Sequence, residues 1–582
     1  DGVEVGTEAA WQMCEKAEIP RFVFVTKEDR PRADFHKVLD QLKSTLSDTL
    51  VPLELPLGEE EALHGVADVL SEQGLEYDEE GHHHAEALPE DIAEEEHELH
   101  EEVAEEIVAG DDEQLERYLS GEIPTASELE RTLRHEVLDG LEVPVLLGSA
   151  ATGVGVDRLA DFICELGPSP AERPSKAVMG GEPTEVPADP AGKPLVHVFR
   201  TAVDQFVGQL SFFKVLSGTI CADDHLMNTT TGTDERLHGI FFLSGKEHEP
   251  AKKVVAGDIA AVPKLSASPT GSALAPKGVD VTVVGPPARP PAYALALQPL
   301  TQADDDKLLG SLQRLCAEDP SLAVERSEET GQTILRGAGD THLAVALERL
   351  ARKFGVNVST ADVLIAYRET IGSSAEAEGK VKKQSGGHGQ YAVVQLRVSP
   401  RQRGEGSEFI DSIVGGAIPR NYLPAVERGV NEAMDAGGVH GFPVVDVRVE
   451  CYDGKYHSVD SSDMAFRTAS AVGLREALQR AQPLVLEPVS EVVITVPDGS
   501  QGDVMGDLNS RRGRISGSNV LPDGTQEITA MVPTAEILRY VLDLRSLTGG
   551  RGTFLARHDH YDVLPNHLVS RIARPEDNGP SH

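Results

Sequence analysis

Two short stretches of this 582-residue sequence carry groups able to recognise a purine base. In "FVTKED" (residues 24–29) an apolar run ends in Thr26, Lys27 and Asp29. A carboxylate facing two donors accepts two hydrogen bonds side by side. Asp29 could therefore take the ring N–H and exocyclic amine of guanine, an edge adenine does not offer, while the Lys27 stem covers the ring plane. "LLGSA" (146–150) is a second apolar run, ending in Ser149 and Ala150, whose backbone N–H groups could donate to the guanine oxygen. Alone, the Lys-x-Asp triplet equally suits a helix capped by Asp29. Two such elements in this order, each after a strand-like run, favour base recognition.

Three other groups could meet phosphate or metal. "KKQSGGHGQY" (382–391) places Lys382 and Lys383 before a turn containing Gly386, Gly387 and His388; glycines let backbone approach RNA closely, and the lysines suit phosphates. "NSRRGRISG" (509–517) groups Arg511, Arg512 and Arg514 after a helical pattern. His82–His84, with His97 and His100, could bind a divalent ion, but they sit among acids and no metal is expected there. The five cysteines have no paired spacing, which reads as idle thiols in a reducing compartment and not as a disulfide framework or zinc site.

The elements that must position these residues follow from charge and periodicity. The net charge of −43 opposes nucleic-acid binding overall, yet it is unevenly spread. Residues 51–150 hold 31 acids against three Arg and no Lys, whereas residues 371–582 hold 22 Lys and Arg against 27 acids, leaving room for basic clusters. Such an acidic surface also suits a high-salt cytoplasm. No apolar run approaches the ~20 residues of a membrane span. "RFVFVTKED" and "VPVLLGSA" read as strands of a parallel α/β sheet. Between them, Ile92, Leu99, Val103 and Ile107 recur at helical spacing amid glutamates, predicting an amphipathic insert helix with a charged outer face. Residues 167–194, rich in Pro and Gly, read as a linker, and 284–293 as a shorter one. Short β-type runs fill 194–284, as in a small barrel, and after Tyr293 strand-like and helical runs alternate as three α+β modules.

With these residues in view, the sequence resembles translation elongation factor G from end to end. "IPRFVFVTKEDRPRADF" and "VPVLLGSAATGVGVDRLADFICELGPSP" are similar to its GTPase domain, and "DDEQLERYLSGE" to the acidic insert of that domain. "TAVDQFVGQLSFFKVLSGTI" resembles the second-domain barrel and "VLIAYRETI" the close of the third domain. "KVKKQSGGHGQYAVV" and "DGKYHSVDSSDMAF" resemble the fourth domain, and "GDVMGDLNSRRGRISG" and "LRSLTGGRGTF" the fifth. The fold expected is multidomain α/β and α+β. It comprises the C-terminal part of a P-loop GTPase domain (1–175, acidic insert about 52–140), a β-barrel domain II (176–290), α+β domain III (291–370), elongated domain IV (371–488) and α+β domain V (489–582).

The resemblance implies a cytoplasmic, monomeric translation factor, with no membrane partner, that binds GTP or GDP with Mg2+ and acts on the ribosome. Its partners would be ribosomal RNA, stalk proteins, and tRNA and messenger in the aminoacyl site. It carries Thr26, Lys27, Asp29, Ser149 and Ala150 over as guanine contacts. Lys382, Lys383, Gly386, Gly387, His388, Arg511, Arg512 and Arg514 become RNA contacts, joined on the family match by His457 of "YHSVDSS". Thr26 stands where the family usually has Asn, His388 where Arg is common, and "GAGDTHL" where Gly-Met-Gly-Glu-Leu-His-Leu is usual, suggesting a divergent paralogue. No G-x-x-x-x-G-K-[ST] occurs in the sequence. In the family the phosphate loop, first switch and catalytic-water His precede the position of Asp1, so the expectation is a truncated sequence without catalytic residues. A ribosome-binding regulatory factor that hydrolyses no GTP, and a ribosome recycling paralogue, are the alternatives.

Overall fold

The computed structural model describes residues 2–90, 92–204, 208–265, 267–286, 288–383 and 390–572. These form two compact units, residues 1–287 and 288–582. In the first, the strands Val23–Thr26, Val143–Gly148 and Leu50–Pro52 form a parallel sheet with Val143–Gly148 at its centre. Both faces of the central strand are covered, which is why its run of apolar residues is unbroken and every residue in it is buried. The third strand, Leu50–Pro52, was not anticipated; at three residues it is too short to show a period.

Between Leu50–Pro52 and the central strand in the chain lies the acidic insert. It contains an antiparallel meander (Glu54–Leu57, Gly65–Asp68, Gln73–Tyr77, His83–Glu86) and three helices, Ala93–Val108, Asp112–Leu119 and Ala126–Asp139. The last helix starts at a reciprocal Thr125/Glu128 cap and stops at Gly140, whose φ of +74° suits glycine. Helix Ala93–Val108 turns Glu94, Glu95, Glu98, Glu101, Glu102 and Glu105 to solvent. It also buries Val103, Ala104, Ile107 and Val108 against Leu129, Leu133, Leu146 and Phe162. The insert therefore shares its core with the parallel sheet.

The segment expected to be a linker is instead partly sheet. Ser175–Met179 and Glu182–Val186 pair as a hairpin whose other edge takes Val281–Val283. Its two-residue turn is Gly180–Gly181, with φ of +57° and +91°, so glycines that read as linker composition are serving a tight turn. An eight-stranded antiparallel sheet follows, whose largest core cluster includes Val196, Phe213, Leu226 and Val262.

Among the described residues the second unit has three sheets. A four-stranded antiparallel sheet carries the helices Gln302–Glu318 and Asp340–Phe354. Its core runs into that of the C-terminal sheet, with Leu312, Leu335 and Leu350 in one cluster with Val492, Ile528 and Tyr540. Between them in sequence, Ala375–Lys383, Gln390–Pro400, Val447–Lys455 and Glu408–Asp411 form a sheet backed by Leu423–Asp435 and Asp463–Arg480. Arg368–Ile371, which the sequence reading put at the close of the third module, pairs with Pro483–Val496 of the C-terminal sheet.

Candidate guanine-binding site

Strands Val23–Thr26 and Val143–Gly148 lie side by side in parallel with Thr26 opposite Gly148. Their carboxyl ends, where ligands bind in open α/β sheets, therefore hold both candidate base-reading stretches. Beyond Thr26 the chain turns sharply. Lys27 has a φ of +72°, a conformation that costs a lysine of order 1 kcal/mol, and Arg30 N–H closes the turn on the Lys27 carbonyl at 3.1 Å. Thr26 and Lys27 are exposed, Asp29 is half-buried and Glu28 is buried. Burial, helped by the carboxylates of Asp34 and Asp29, pushes the Glu28 carboxyl up. Asp29 makes one loose ion pair, 3.6 Å from Arg30 Nε, and among the described residues nothing in the protein donates to its carboxylate at hydrogen-bond distance. Two free carboxylate oxygens at the end of a strand fit a ligand edge with two donors.

The facing loop is tightly tied. Ser149 is fully buried; its N–H donates to the Val154 carbonyl at 2.9 Å and its carbonyl accepts from Gly153 N–H at 2.9 Å. Its hydroxyl oxygen accepts from the N–H groups of Ala151 and Thr152 at 3.1 and 3.3 Å. Ala150, at the tip, is exposed. The loop closes this far only because Gly148 and Gly155 lack side chains: a Cβ at Gly148 would stand 2.2 Å from the Val154 carbonyl oxygen, and one at Gly155 2.2 Å from that of Leu147. The structure thus brings Thr26, Lys27, Asp29, Ser149 and Ala150 together on one edge of one sheet, but it corrects the expected role of Ser149: its N–H is spent on the Val154 carbonyl, so of the two expected donors the Ala150 N–H is the one left for a ligand among the described residues.

Beneath this edge lies a residue that sequence reasoning missed. Glu54 is wholly buried, accepts the Leu147 N–H at 2.9 Å and leaves its other oxygen unpartnered among the described residues. Burial pushes its carboxyl up to about 8. A lone Glu in "PLELPLG" gives no sequence signal of this.

The RNA-contact candidates divide. Lys382 and Lys383 are exposed at the end of their strand, and Lys382 pairs with Tyr391. Tyr391 also anchors the loop of His457: Ser461 Oγ donates to the Tyr391 carbonyl at 2.7 Å and accepts His457 N–H at 2.8 Å. The two lysines and His457 thus lie at one end of one sheet, with His457 half-exposed there. Gly386, Gly387 and His388 lie outside the described residues. Arg512 is bidentate on Glu487 at 2.6 and 2.9 Å, and Arg511 holds Asp507 and Asp543 at 2.8 and 2.9 Å. Both guanidiniums are engaged inside the C-terminal module, a use the triplet's spacing does not reveal, while Arg514 is exposed.

A parallel sheet with an insert, an antiparallel domain and three α+β modules is the architecture of a translational GTPase, and the comparisons agree along the chain. Residues 1–169 match the elongation factor Tu GTP-binding domain, 194–275 elongation factor G domain 2, 289–362 domain III, 364–482 domain IV, and 484–572 the elongation factor G C-terminus. An elongation factor G-like protein of Thermotoga maritima is 39% identical over 573 residues, 98% of this chain and 83% of the relative. A crystal structure of a Thermus thermophilus protein superposes with a TM-score of 0.71 at 37% identity, covering 98% of this chain and 83% of that one. The chain belongs to the elongation factor G family of translational GTPases.

Proposed function

We propose that the protein is a ribosome-bound factor that reads guanine with Asp29, Thr26, Lys27 and the Ser149–Ala150 loop, takes GTP or GDP with Mg2+, and promotes movement of tRNA and messenger. The carrying observation is the register that sets Thr26 opposite Gly148, so both base-reading stretches leave the same sheet edge. The bound nucleotide supplies the energy of a GTP-driven cycle; these residues select and orient its base. In the second unit, Lys382, Lys383 and His457 form the tip that meets RNA in the aminoacyl site, and Arg514 is the arginine of its trio free to meet ribosomal RNA. The exposed glutamates of helix Ala93–Val108 would face basic stalk proteins.

A toe-print assay of messenger position, run with the protein made from its complete coding sequence, tests this. Movement of the messenger with GTP supports the reading, and replacing Lys382, Lys383 or His457 with Ala should slow it while leaving ribosome-stimulated GTP hydrolysis nearly unchanged. Tight, GTP-dependent ribosome binding with no movement overturns the translocation reading in favour of a regulatory factor, and subunit splitting without movement favours recycling.

A further inference from the structure

The histidine run in the insert has a partner that its metal-like spacing does not suggest. His83 opens the strand His83–Glu86 opposite Tyr77 of Gln73–Tyr77, and both side chains converge on Asp157. Tyr77 Oη donates to Asp157 Oδ1 at 2.6 Å, and His83 Nδ1 lies 2.6 Å from Asp157 Oδ2. Asp157 is in the first turn of helix Val156–Leu166, which begins directly after the Ser149–Gly155 loop. Burial alone would raise its carboxyl, but the hydrogen bonds from Tyr77 and His83 outweigh this and hold it below the usual carboxylate range. The next residue, Arg158, is bound by the insert too, with Nη2 2.7 Å from Asp68 Oδ2 in a largely buried pair.

The backbone makes the same junction. Gly81, in the turn that links Tyr77 to His83, lies against Gly153 of the base-reading loop; a Cβ built on Gly153 would stand 3.1 Å from Gly81 Cα. Both glycines have positive φ, +80° and +86°. A side chain at Gly153 would crowd the hairpin, whereas a Cβ at Gly81 would make ordinary contact, 3.5 Å from Gly153 Cα.

We propose that the Gln73–Glu86 hairpin is a clamp for the base-reading loop, in which Tyr77 and His83 are positioning residues that hold Ser149 and Ala150 in register with Asp29 through Asp157. This rests on the guanine-site reading above. It makes the acidic insert a regulator of nucleotide release: a partner that pulls on the insert would loosen the base. Coupling of this kind acts on affinity and not on which base is chosen, since the polar groups of Tyr77 and His83 are turned to Asp157.

The test is the release rate of fluorescent GDP from the protein made from its complete coding sequence, with thermal melting in parallel. Tyr77→Phe and His83→Leu should each speed release roughly tenfold or more, the scale of one hydrogen bond to a charged group. His83→Asn, which keeps a donor near the Nδ1 position, should restore most of the parental rate, and preference for GDP over xanthosine diphosphate should stay parental in all three. If the parent prefers GDP and loses that preference on Asp29→Asn, but the hairpin variants release GDP at the parental rate, the clamp is overturned and the guanine site stands. A faster release that His83→Asn does not restore also overturns it, marking a purely structural effect. A parent with no guanine preference overturns the site reading, and the clamp with it.

Discussion

On the proposed reading Asp29 takes the guanine edge: it follows a positive-φ turn at Lys27, and its ion pair with Arg30, at 3.6 Å, is too long for a hydrogen bond. Asp29→Asn turns an acceptor into a donor, so preference should move from GTP toward xanthosine triphosphate by roughly 100-fold or more, as unpaired buried polar groups discriminate strongly; competition titration measures it. Thr26→Asn, by contrast, should change guanine affinity by no more than about threefold, since both side chains can hydrogen-bond. Glu54 makes a separate prediction about pH. Its folded-state value of about 8 lies above the ordinary carboxyl value of 4.5, so the native state favours the protonated form. The stability this contributes is complete below about 4.5 and is lost as pH rises through 8, by up to about 1.4 kcal/mol per pH unit. Melting temperature should fall between pH 6 and 8.5, and Glu54→Gln should flatten that fall.

At the scale of elements, the acidic helix Ala93–Val108 does two jobs with two faces. Its inner face is core, so removing residues 76–118, which would be harmless for a solvated appendage, would expose Leu129, Leu133 and Phe162 and abolish folding of the first unit. Truncating Phe162 to Ala should cost about 3–5 kcal/mol on its own. The outer face can be changed without that damage. Replacing Glu94, Glu98 and Glu105 with Gln should leave the melting temperature near the parental value and slow ribosome association at low salt, because exposed charge acts on encounter more than on final affinity. Stopped-flow association at several ionic strengths reads the effect, which should vanish at high salt. The hairpin at Gly180–Gly181 shows how one composition serves two structures: Pro and Gly break regular elements, but a Gly pair between two five-residue runs also makes the tightest turn between strands.

For the whole molecule, a charge of −43 on 582 residues implies self-repulsion that salt relieves. Neighbouring exposed acids of one helix face lie within the ~10 Å screening distance at 0.1 M. The melting temperature should therefore rise between 50 mM and 1 M NaCl, and an unchanged value would show that the local ion pairs, such as Arg117 with Glu122 and Glu128, already balance the surface. Among the described residues no helix is long and apolar enough to cross a membrane.

What the sequence determined by itself was what is written in contiguous runs: the family, the order of its modules, the two strand ends that carry the candidate base-reading residues, and the apolar stripe of the acidic helix. Each is local, a period or motif that one segment carries whole. Tertiary structure alone decided which groups meet across long separations. Arg511 and Arg512, read as free cations, are neutralised by Asp543 and Glu487 from other elements. His83, read as one of a histidine run where no metal is expected, is spent on Asp157, 74 residues away. Glu54 is shifted by burial under a strand that begins nearly 90 residues later. Desolvation and ion pairing depend on distance in space, and a charged residue's spacing along the chain does not show which carboxylate will be folded against it.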